Sequence, residues 1–268
     1  MDNTIPKKIW FLWLQGFDNA PLEVKECYES WVRLNPGWEV VFMDESDIAA
    51  YITVPKWRVA KYVLSELLRI NLLAKYGGVW ADATCYCVQP LDEWLPAYIS
   101  AGFFAFERPG PDRMISSWFL AAAPDNYIAS AFRNRVNKYW QEYKGIRLVE
   151  RTRWKFLVKK LQDSNPQVWF NPIFTRVLRV HPYFWFHHTF ENVYLSDETF
   201  RKQWDASPKL SADVATTVFY AGVTNPLTDK LKKEIDNKTA PVYKLTWKYD
   251  HSLYVPGTIM YYLFNRDK

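Results

Sequence analysis

The sequence predicts an α/β fold with a mostly parallel central sheet. Short apolar runs typical of buried strands alternate with longer stretches of helical periodicity over the first third of the chain. Residues 5–14 and 38–43 are predicted as the first two strands, and residues 21–34, with a proline in the first turn, as the helix between them. This spacing is typical of sheets that bind nucleotides, although the sequence contains neither a GxGxxG nor a GxxxxGK[ST] motif.

The segment that organises the chain is residues 61–82, a helix followed directly by a strand. No glycine or proline interrupts the helix. Gly77 and Gly78 supply the left-handed helix end that residues with a Cβ atom resist. Val79-Trp80-Ala81 then has the pattern of a short buried strand, and Asp82 follows it. The helical spacing is carried by apolar residues three and four positions apart, namely Tyr62, Val63, Leu67, Ile70, Leu73 and Ala74.

The lengths of these two elements predict that three polar residues meet. The helix advances roughly 16 Å from Glu66 to Gly77 at about 1.5 Å per residue, and an extended chain returns roughly 16 Å to Asp82 at about 3.3 Å per residue. Glu66 and Arg69 share one helix face, so we expect both beside Asp82. Each residue taken alone is more often an ion-pair partner or a turn cap. Their convergence favours a site, because open α/β sheets bind ligands at the carboxyl ends of their strands.

The predicted elements outside this segment are less regular. Asp44 is predicted to cap a short helix that runs to residue 51. A strand is predicted at 102–106, a loop at 108–112 and a helix at 129–143, whereas residues 114–123 fit a strand or a helix equally well. Each assignment follows from local apolar spacing and from the positions of glycine and proline.

Two later segments stand out by composition. Residues 147–161 are the most basic stretch and predict an amphipathic helix, which is more often a solvated surface helix than a membrane anchor. Residues 183–190 are strongly aromatic and include the adjacent His187 and His188. Adjacent side chains point apart on a helix or a strand, so we expect one core and one surface histidine rather than a metal site.

The composition limits the function classes. The 268 residues suit one domain, and the net charge of +5 favours an anionic small ligand or a membrane surface over nucleic acid. The chain has no apolar window long enough to span a membrane and no secretory signal, so we expect a cytoplasmic protein, and its three cysteines agree with a reducing compartment. Of the 48 aromatic residues we expect most in the core and a minority along a groove.

Several segments of the sequence resemble the capsular polysaccharide synthesis branch of the DXD-containing glycosyltransferases, the glycosyltransferase family 32 type. The resemblance is specific over roughly the first 120 residues. It implies a GT-A-like fold with additional C-terminal helices, and one domain over 1–268 with a donor-binding half (about 1–125) and a helical, acceptor-side half (about 126–268). The segments that carry it are residues 5–10, 65–69, 76–84 and 90–92.

The resemblance also implies site residues. Asp82, Arg69 and Glu66, which stands where the family usually has Asp, are implied as catalytic. Asp82 is the first acidic residue of the DXD motif, and Thr84 replaces the second, so Asp82 and Thr84 are the implied metal ligands. We therefore expect Mn²⁺ or Mg²⁺ to bind weakly or with help from the donor phosphates, because hard cations accept neutral oxygen ligands. The residues implied to bind the donor are Trp10, Ser65, Glu66, Arg69, Asp82, Ser117, Lys244 and Trp247.

Three functions remain open from the sequence. The first is a retaining glycosyltransferase that moves a sugar from a nucleotide-sugar donor, most often a UDP-sugar, to a glycan or polysaccharide acceptor, with peripheral association at the inner face of a membrane as an open alternative. The second is a catalytically weak or inactive carbohydrate-binding or nucleotide-sugar-binding protein of the same fold, which Thr84 would suit. The third is a phosphoesterase that uses Asp82 with a metal, although clustered His and Asp ligands are missing. No nucleic-acid partner is expected.

Overall fold

The structure is a computed structural model that describes residues 3–54, 59–143 and 145–266. Its strands are β1 (Lys8–Leu12), β2 (Glu39–Met43), β3 (Gly78–Asp82), β4 (Cys85–Cys87), β5 (Phe103–Gly110), β6 (Arg113–Ala122), β7 (Arg147–Leu148), β8 (Val180–His181) and β9 (Val242–Lys244). Its α-helices are α1 (Leu22–Leu34), α2 (Ile48–Tyr51), α3 (Lys61–Tyr76), α4 (Leu91–Trp94), α5 (Tyr127–Glu142), α6 (Phe156–Ser164), α7 (Trp185–Ser196), α8 (Glu198–Ala206), α9 (Ala212–Ala221), α10 (Asp229–Asp236) and α11 (Ile259–Asn265).

The central sheet has the strand order β2-β1-β3-β6-β5. β1 pairs in parallel with β2 and β3, and β6 pairs antiparallel with β3 and β5. Four strands therefore point in one direction and only β6 opposes them. The predicted α/β fold, with its mostly parallel sheet and additional C-terminal helices, is confirmed.

Both faces of this sheet are buried, as the apolar strands require. Along β1, Ile9 and Phe11 belong to one core cluster, and Trp10 and Leu12 belong to the other. The first cluster is covered mainly by α1, α9 and α11, and the second by α3, α5, α7 and α8. The carboxyl ends of β1 and β3 are thereby left as the open edge between the two helical layers.

Two sequence predictions concern the β5–β6 hairpin, and the structure corrects the first and decides the second. The loop predicted at 108–112 is wrong in extent, since β5 continues to Gly110 and β6 begins at Arg113. The ambiguous segment 114–123 is almost entirely strand. Pairing between the two strands outweighs the local preference of proline and glycine for a loop.

Other boundaries differ because tertiary contacts intervene. The helix predicted over 147–161 begins only at Phe156, since residues 147–148 form β7 and pair with β8. Asp44 does not cap α2. Its side chain accepts the backbone N–H of Ser46 at 2.7 Å, and α2 begins at Ile48 after Asp47. This hydrogen bond closes a local turn, which an Asp side chain readily forms with the backbone two residues further along the chain.

The glycine pair at the end of α3 is required by space as well as by conformation. Gly77 and Gly78 have φ of +65° and +97°. A Cβ atom on Gly78 would lie 2.5 Å from the backbone oxygen of Lys8, and one on Gly77 would lie 2.9 Å from the backbone oxygen of Ala122. The chain reverses within this pair because β3 must enter the sheet between β1 and β6.

Gly78→Ala is expected to lower the free energy of unfolding by more than the about 1–3 kcal/mol that left-handed backbone strain costs alone, because its Cβ would also meet the Lys8 backbone. Gly257→Ala isolates the strain, since Gly257 has φ of +90° and no atom within 4 Å of an added Cβ. Gly37→Ala has neither problem. Urea denaturation should rank the losses in the order Gly78, Gly257, Gly37, and a Gly78→Ala loss no larger than that of Gly257→Ala would contradict the steric account.

Candidate functional site

A cleft of about 770 Å³ opens at the carboxyl edge of the central sheet. Its floor is formed by the ends of β1 and β3, and one wall by the first three turns of α3. The other walls come from β6, the start of α7, the end of α9 and the segment that follows β9. The volume is in the range of pockets that hold small ligands, and the location is the one at which open α/β sheets bind them.

The convergence predicted from the helix and strand lengths is confirmed at the floor of this cleft. Arg69 Nη2 lies 3.1 Å from Asp82 Oδ1, with the guanidinium buried and the carboxylate partly exposed. Arg69 also donates to Ser65 Oγ at 3.1 Å and to the backbone oxygen of Ser117. Trp80 Nε1 donates to the same Asp82 oxygen at 2.8 Å, and its ring lies 5.0 Å from the guanidinium carbon. Arg69 therefore fixes the orientation of Asp82, and Asp82 is the member of the pair that faces the cleft.

Glu66 lies beside this pair, but its carboxyl group differs from that of Asp82 in burial and in protonation. Its side chain is buried, and Oε2 has no hydrogen-bond partner within the described part of the chain. Burial raises the pKa of Glu66 to about 8, an effect that Arg69 offsets only in part and Asp82 increases. At neutral pH the carboxyl group is thus mostly protonated, and it offers a hydroxyl donor to the cleft as well as an acceptor.

The C-terminal segment completes the cleft from above. Leu245 N donates to Thr84 O at 2.7 Å, and Lys244 Nζ donates to Thr84 Oγ1. Trp247 is half exposed and packs edge-to-face on Trp13, with ring centroids 5.9 Å apart. The structure therefore brings both Lys244 and Trp247 to the cleft that contains Asp82.

The residues as placed do not fit the metal that the DXD resemblance implies. Thr84, the second implied ligand, already accepts a hydrogen bond from a lysine ammonium. Asp82 is already paired with Arg69. Across the described ranges, no three His, Cys, Asp or Glu side chains are close enough to share a metal ion. Binding of Mn²⁺ or Mg²⁺ stays a prediction.

Trp10 is the one implied donor-binding residue that does not line the cleft. It is buried in the core, and its indole Nε1 donates to the backbone oxygen of Gly77 at 2.8 Å. Trp13, three residues later, lines the cleft instead. The reason is positional, because Trp10 lies in the middle of β1 whereas Trp13 follows its carboxyl end. The sequence contains no signal for this difference, because the predicted strand continues to residue 14 and so includes Trp13, whereas β1 ends at Leu12.

The expectation of one core and one surface histidine is wrong, since His187 and His188 are both buried. α7 packs against β6, α5 and α8, so adjacent positions on it are covered from different sides. Burial, and then Arg113, lowers the pKa of His187 well below its ordinary value, so its ring is neutral at the cleft wall. Arg113 itself stacks on Phe184, with the guanidinium carbon 3.9 Å from the ring centroid. Sequence reasoning missed this wall, although the aromatic run at 183–190 marked it.

The fold and the cleft together define an α/β protein with a polar, cation-rich site at the carboxyl edge of a mostly parallel sheet. The family model for capsular polysaccharide synthesis proteins matches residues 1–147, more than half of the chain, and the chain belongs to this family. The matched range includes α3, the glycine pair and Asp82, but it ends before Lys244.

Curated relatives of this chain carry the names of glycosyltransferases. The O-glycosyltransferase braB of Annulohypoxylon truncatum is 28% identical over 51% of this chain and 38% of its own length. The glycosyltransferase afumC of Aspergillus fumigatus is 25% identical over 51% of this chain and 39% of its own length. The chain thus spans about two fifths of the length of these relatives. Among solved structures, the PaToxG glycosyltransferase aligns with 87% of this chain and 84% of its own, at 15% identity and a TM-score of 0.38.

Glu66→Gln is expected to raise the melting temperature by an amount that grows with pH. Below the ordinary pKa of 4.5 the carboxyl group is protonated in both the folded and the unfolded protein, so the substitution changes little. As pH rises towards about 8, the unfolded state loses its proton but the folded state retains it, and wild-type stability falls relative to the neutral variant. Thermal melts of both proteins at acidic, neutral and alkaline pH measure this difference.

Glu93→Gln is the matched control, because it removes an exposed carboxylate outside the cleft. The difference between this control and wild type should stay nearly constant over the same range. A Glu66→Gln difference that is flat or shrinks as pH rises would contradict the buried, protonated state.

Proposed function

We propose that this protein is a retaining glycosyltransferase that takes a sugar from a nucleotide-sugar donor, with UDP as the first nucleotide to test and GDP as the second. The observation that carries the proposal is the convergence of Asp82, Arg69 and Lys244 in one cleft at the sheet edge. Transfer breaks the bond between the sugar and a diphosphate, so negative charge grows on the leaving group while the ring becomes cationic. A carboxylate stabilises the positive charge on the sugar ring, and the fixed cations beside it stabilise the negative charge on the diphosphate.

Asp82 and Glu66 are assigned to the donor sugar. A carboxylate held by Arg69 and Trp80 accepts hydrogen bonds from hydroxyl groups in a fixed orientation. Glu66, protonated at neutral pH, adds a donor at the same floor. Membership of the capsular polysaccharide synthesis family and the names of the relatives support glycosyl transfer as the reaction. Retention by front-face attack and retention through a covalent carboxylate intermediate are both compatible with this arrangement.

A glycan or polysaccharide acceptor is proposed for the mouth of the cleft. Exposed aromatic side chains surround it, with exposed fractions of 46% for Trp247, 49% for Tyr183 and 73% for Tyr220. Aromatic faces pack on the apolar faces of sugar rings, and indole and phenol groups add hydrogen bonds at their edges. The mouth therefore suits a sugar chain better than a nucleic acid.

Two other functions are distinguished by assay. A carbohydrate-binding protein without activity would bind a nucleotide sugar but release no nucleoside diphosphate. A phosphoesterase would cleave simple phosphate esters without a sugar nucleotide. Release of UDP or GDP from a panel of nucleotide sugars, with and without glycan acceptors, separates all three.

Asp82→Asn is expected to reduce transfer by about 10- to 150-fold, the loss associated with a hydrogen bond to a charged group. The variant keeps the shape of the side chain and an oxygen that can accept from Arg69 and Trp80, so it should still fold, with a lower melting temperature because the buried guanidinium loses its counter-charge. Asp92→Asn is the matched control, since Asp92 is exposed at the surface and pairs with Lys7. Near-normal transfer by a folded Asp82→Asn protein would remove Asp82 from the site.

Peripheral membrane association is proposed for the surface formed by residues 147–181. This segment holds eight basic and two acidic residues, an excess that alone exceeds the net charge of the whole chain. Large apolar side chains are exposed among these charges, with exposed fractions of 67% for Phe156, 57% for Ile173 and 73% for Val177. Cations mixed with exposed apolar groups complement an anionic lipid surface. In the described ranges, no helix is long and apolar enough to cross a bilayer.

Wild type is expected to float with vesicles that contain phosphatidylserine, less with phosphatidylcholine alone, and less again at high salt, which screens the attraction. The double variant Phe156→Ser, Val177→Ser should lose most of this binding. Leu195→Ser is the control, because Leu195 is equally apolar and 56% exposed but lies outside the segment. Equal loss in the control, or a preference for RNA or DNA over the vesicles, would contradict the assignment.

A further inference from the structure

Main-chain pairing fixes Lys244 at the cleft. β9 pairs antiparallel with β4, and the Cα atom of Lys244 lies opposite that of Cys85. The N–H of Leu245 continues the pairing by donating to the backbone oxygen of Thr84 at 2.7 Å. The lysine backbone therefore lies directly beside the second position of the Asp82-Ala83-Thr84 motif, and its position does not depend on a flexible loop.

The Lys244 ammonium lies where the motif would otherwise hold a cation. It donates to Thr84 Oγ1 and to the backbone oxygen of Leu245, the latter at 3.2 Å. These two bonds use two of the three N–H groups of an ammonium, so one remains for a ligand. A threonine hydroxyl suits this partner, because it accepts from the ammonium without neutralising its charge.

A divalent ion at the same position would meet like charge. Its second implied ligand, Thr84, is bonded to an ammonium, and its first, Asp82, is bonded to a guanidinium. Five basic side chains line the cleft, namely Lys61, Arg69, Arg113, Lys244 and Lys248, and the first three are paired with Glu45, Asp82 and Asp112. The cleft is thus already rich in positive charge of the kind that a diphosphate requires.

We propose that the Lys244 ammonium, seated on Thr84, takes the place of the divalent metal and contacts the donor diphosphate directly. The proposal rests on the glycosyl transfer proposed above. In that reaction the bond between the sugar C1 and the diphosphate oxygen breaks, and its electron pair stays on that oxygen. A bond forms between C1 and the acceptor oxygen, and the proton of the acceptor hydroxyl leaves with the nucleoside diphosphate. Lys244 neutralises the charge that develops on the leaving oxygen, and Arg69 holds Asp82 in place beside it.

The test measures the binding of UDP and of GDP by calorimetry, with EDTA and with Mn²⁺. The proteins are wild type, Lys244→Met, Lys244→Arg and the double variant Thr84→Asp, Lys244→Met. Lys233→Met is the matched control, since it removes an exposed lysine outside the cleft. Release of nucleoside diphosphate from a nucleotide sugar is followed under the same conditions.

Wild type is expected to bind one of the two nucleotides equally well in EDTA and in Mn²⁺, and to turn over in EDTA. Lys244→Met should weaken this binding by about 10- to 100-fold, as for the loss of a charged hydrogen bond. Lys244→Arg should retain most of the affinity. The double variant, which restores the second carboxylate and removes the ammonium, should bind the nucleotide only with Mn²⁺.

Nucleotide binding by wild type that requires Mn²⁺, or binding that Lys244→Met leaves unchanged, would overturn this inference and leave the proposed glycosyl transfer standing. Failure of wild type to bind either nucleotide, or to release one from any sugar nucleotide, would overturn both. If Lys244→Met does not fold, the comparison of EDTA with Mn²⁺ on wild type still decides the question.

Discussion

The site depends on the buried ion pair between Arg69 and Asp82. A guanidinium that is removed from water is stable only if its hydrogen bonds are replaced, and here Asp82, Ser65 and the backbone of Ser117 replace them. Those partners come from the strand end, the helix itself and β6, so the pair holds only when α3, β3 and β6 are in register. The two glycines between α3 and β3 allow that register, because a Cβ atom at Gly78 would meet the neighbouring strand. The register of α3, β3 and β6 is thus required by both the fold and the site.

Burial, together with this neighbouring pair, determines the protonation state of Glu66. One guanidinium balances one carboxylate, and Asp82 already occupies that role. A second ionised carboxylate, buried and next to Asp82, would lack compensation, so the pKa of Glu66 rises to about 8 and the group keeps its proton at neutral pH. Two carboxyl groups at one sheet edge therefore differ in chemistry, since Asp82 is paired and faces the cleft whereas Glu66 is buried and protonated. The difference arises from burial rather than from sequence position.

The sequence predicts the parts of this site that are encoded locally. Helical spacing, the glycine pair and the rise per residue are sufficient to place Arg69 beside Asp82, because these properties hold within a stretch of 22 residues. The positions of the other residues depend on packing between elements that are distant in the sequence. Trp10 is an aromatic residue of the first strand, but only the register with β2 and β3 shows that it lies mid-strand in the core. Likewise, the burial of both His187 and His188 follows from the several elements around α7, which no local pattern reveals.

Lys244 shows how far the site extends beyond the local segment. It meets Thr84 across 160 positions of sequence, and the family match ends nearly a hundred residues before it. The division into a donor-binding half over about 1–125 and an acceptor-side half stays a prediction, and Lys244 of the second half forms a hydrogen bond with Thr84 of the first. A three-residue strand, β9, holds that ammonium through backbone hydrogen bonds to β4. Backbone pairing is insensitive to side-chain identity, so the position of residue 244 is a property of the fold. The side chain at residue 244 is independent of this backbone pairing. A lysine there can bond to the hydroxyl of Thr84 and keep its charge. A lysine that faced a second DXD carboxylate would instead neutralise the ligand that a metal needs.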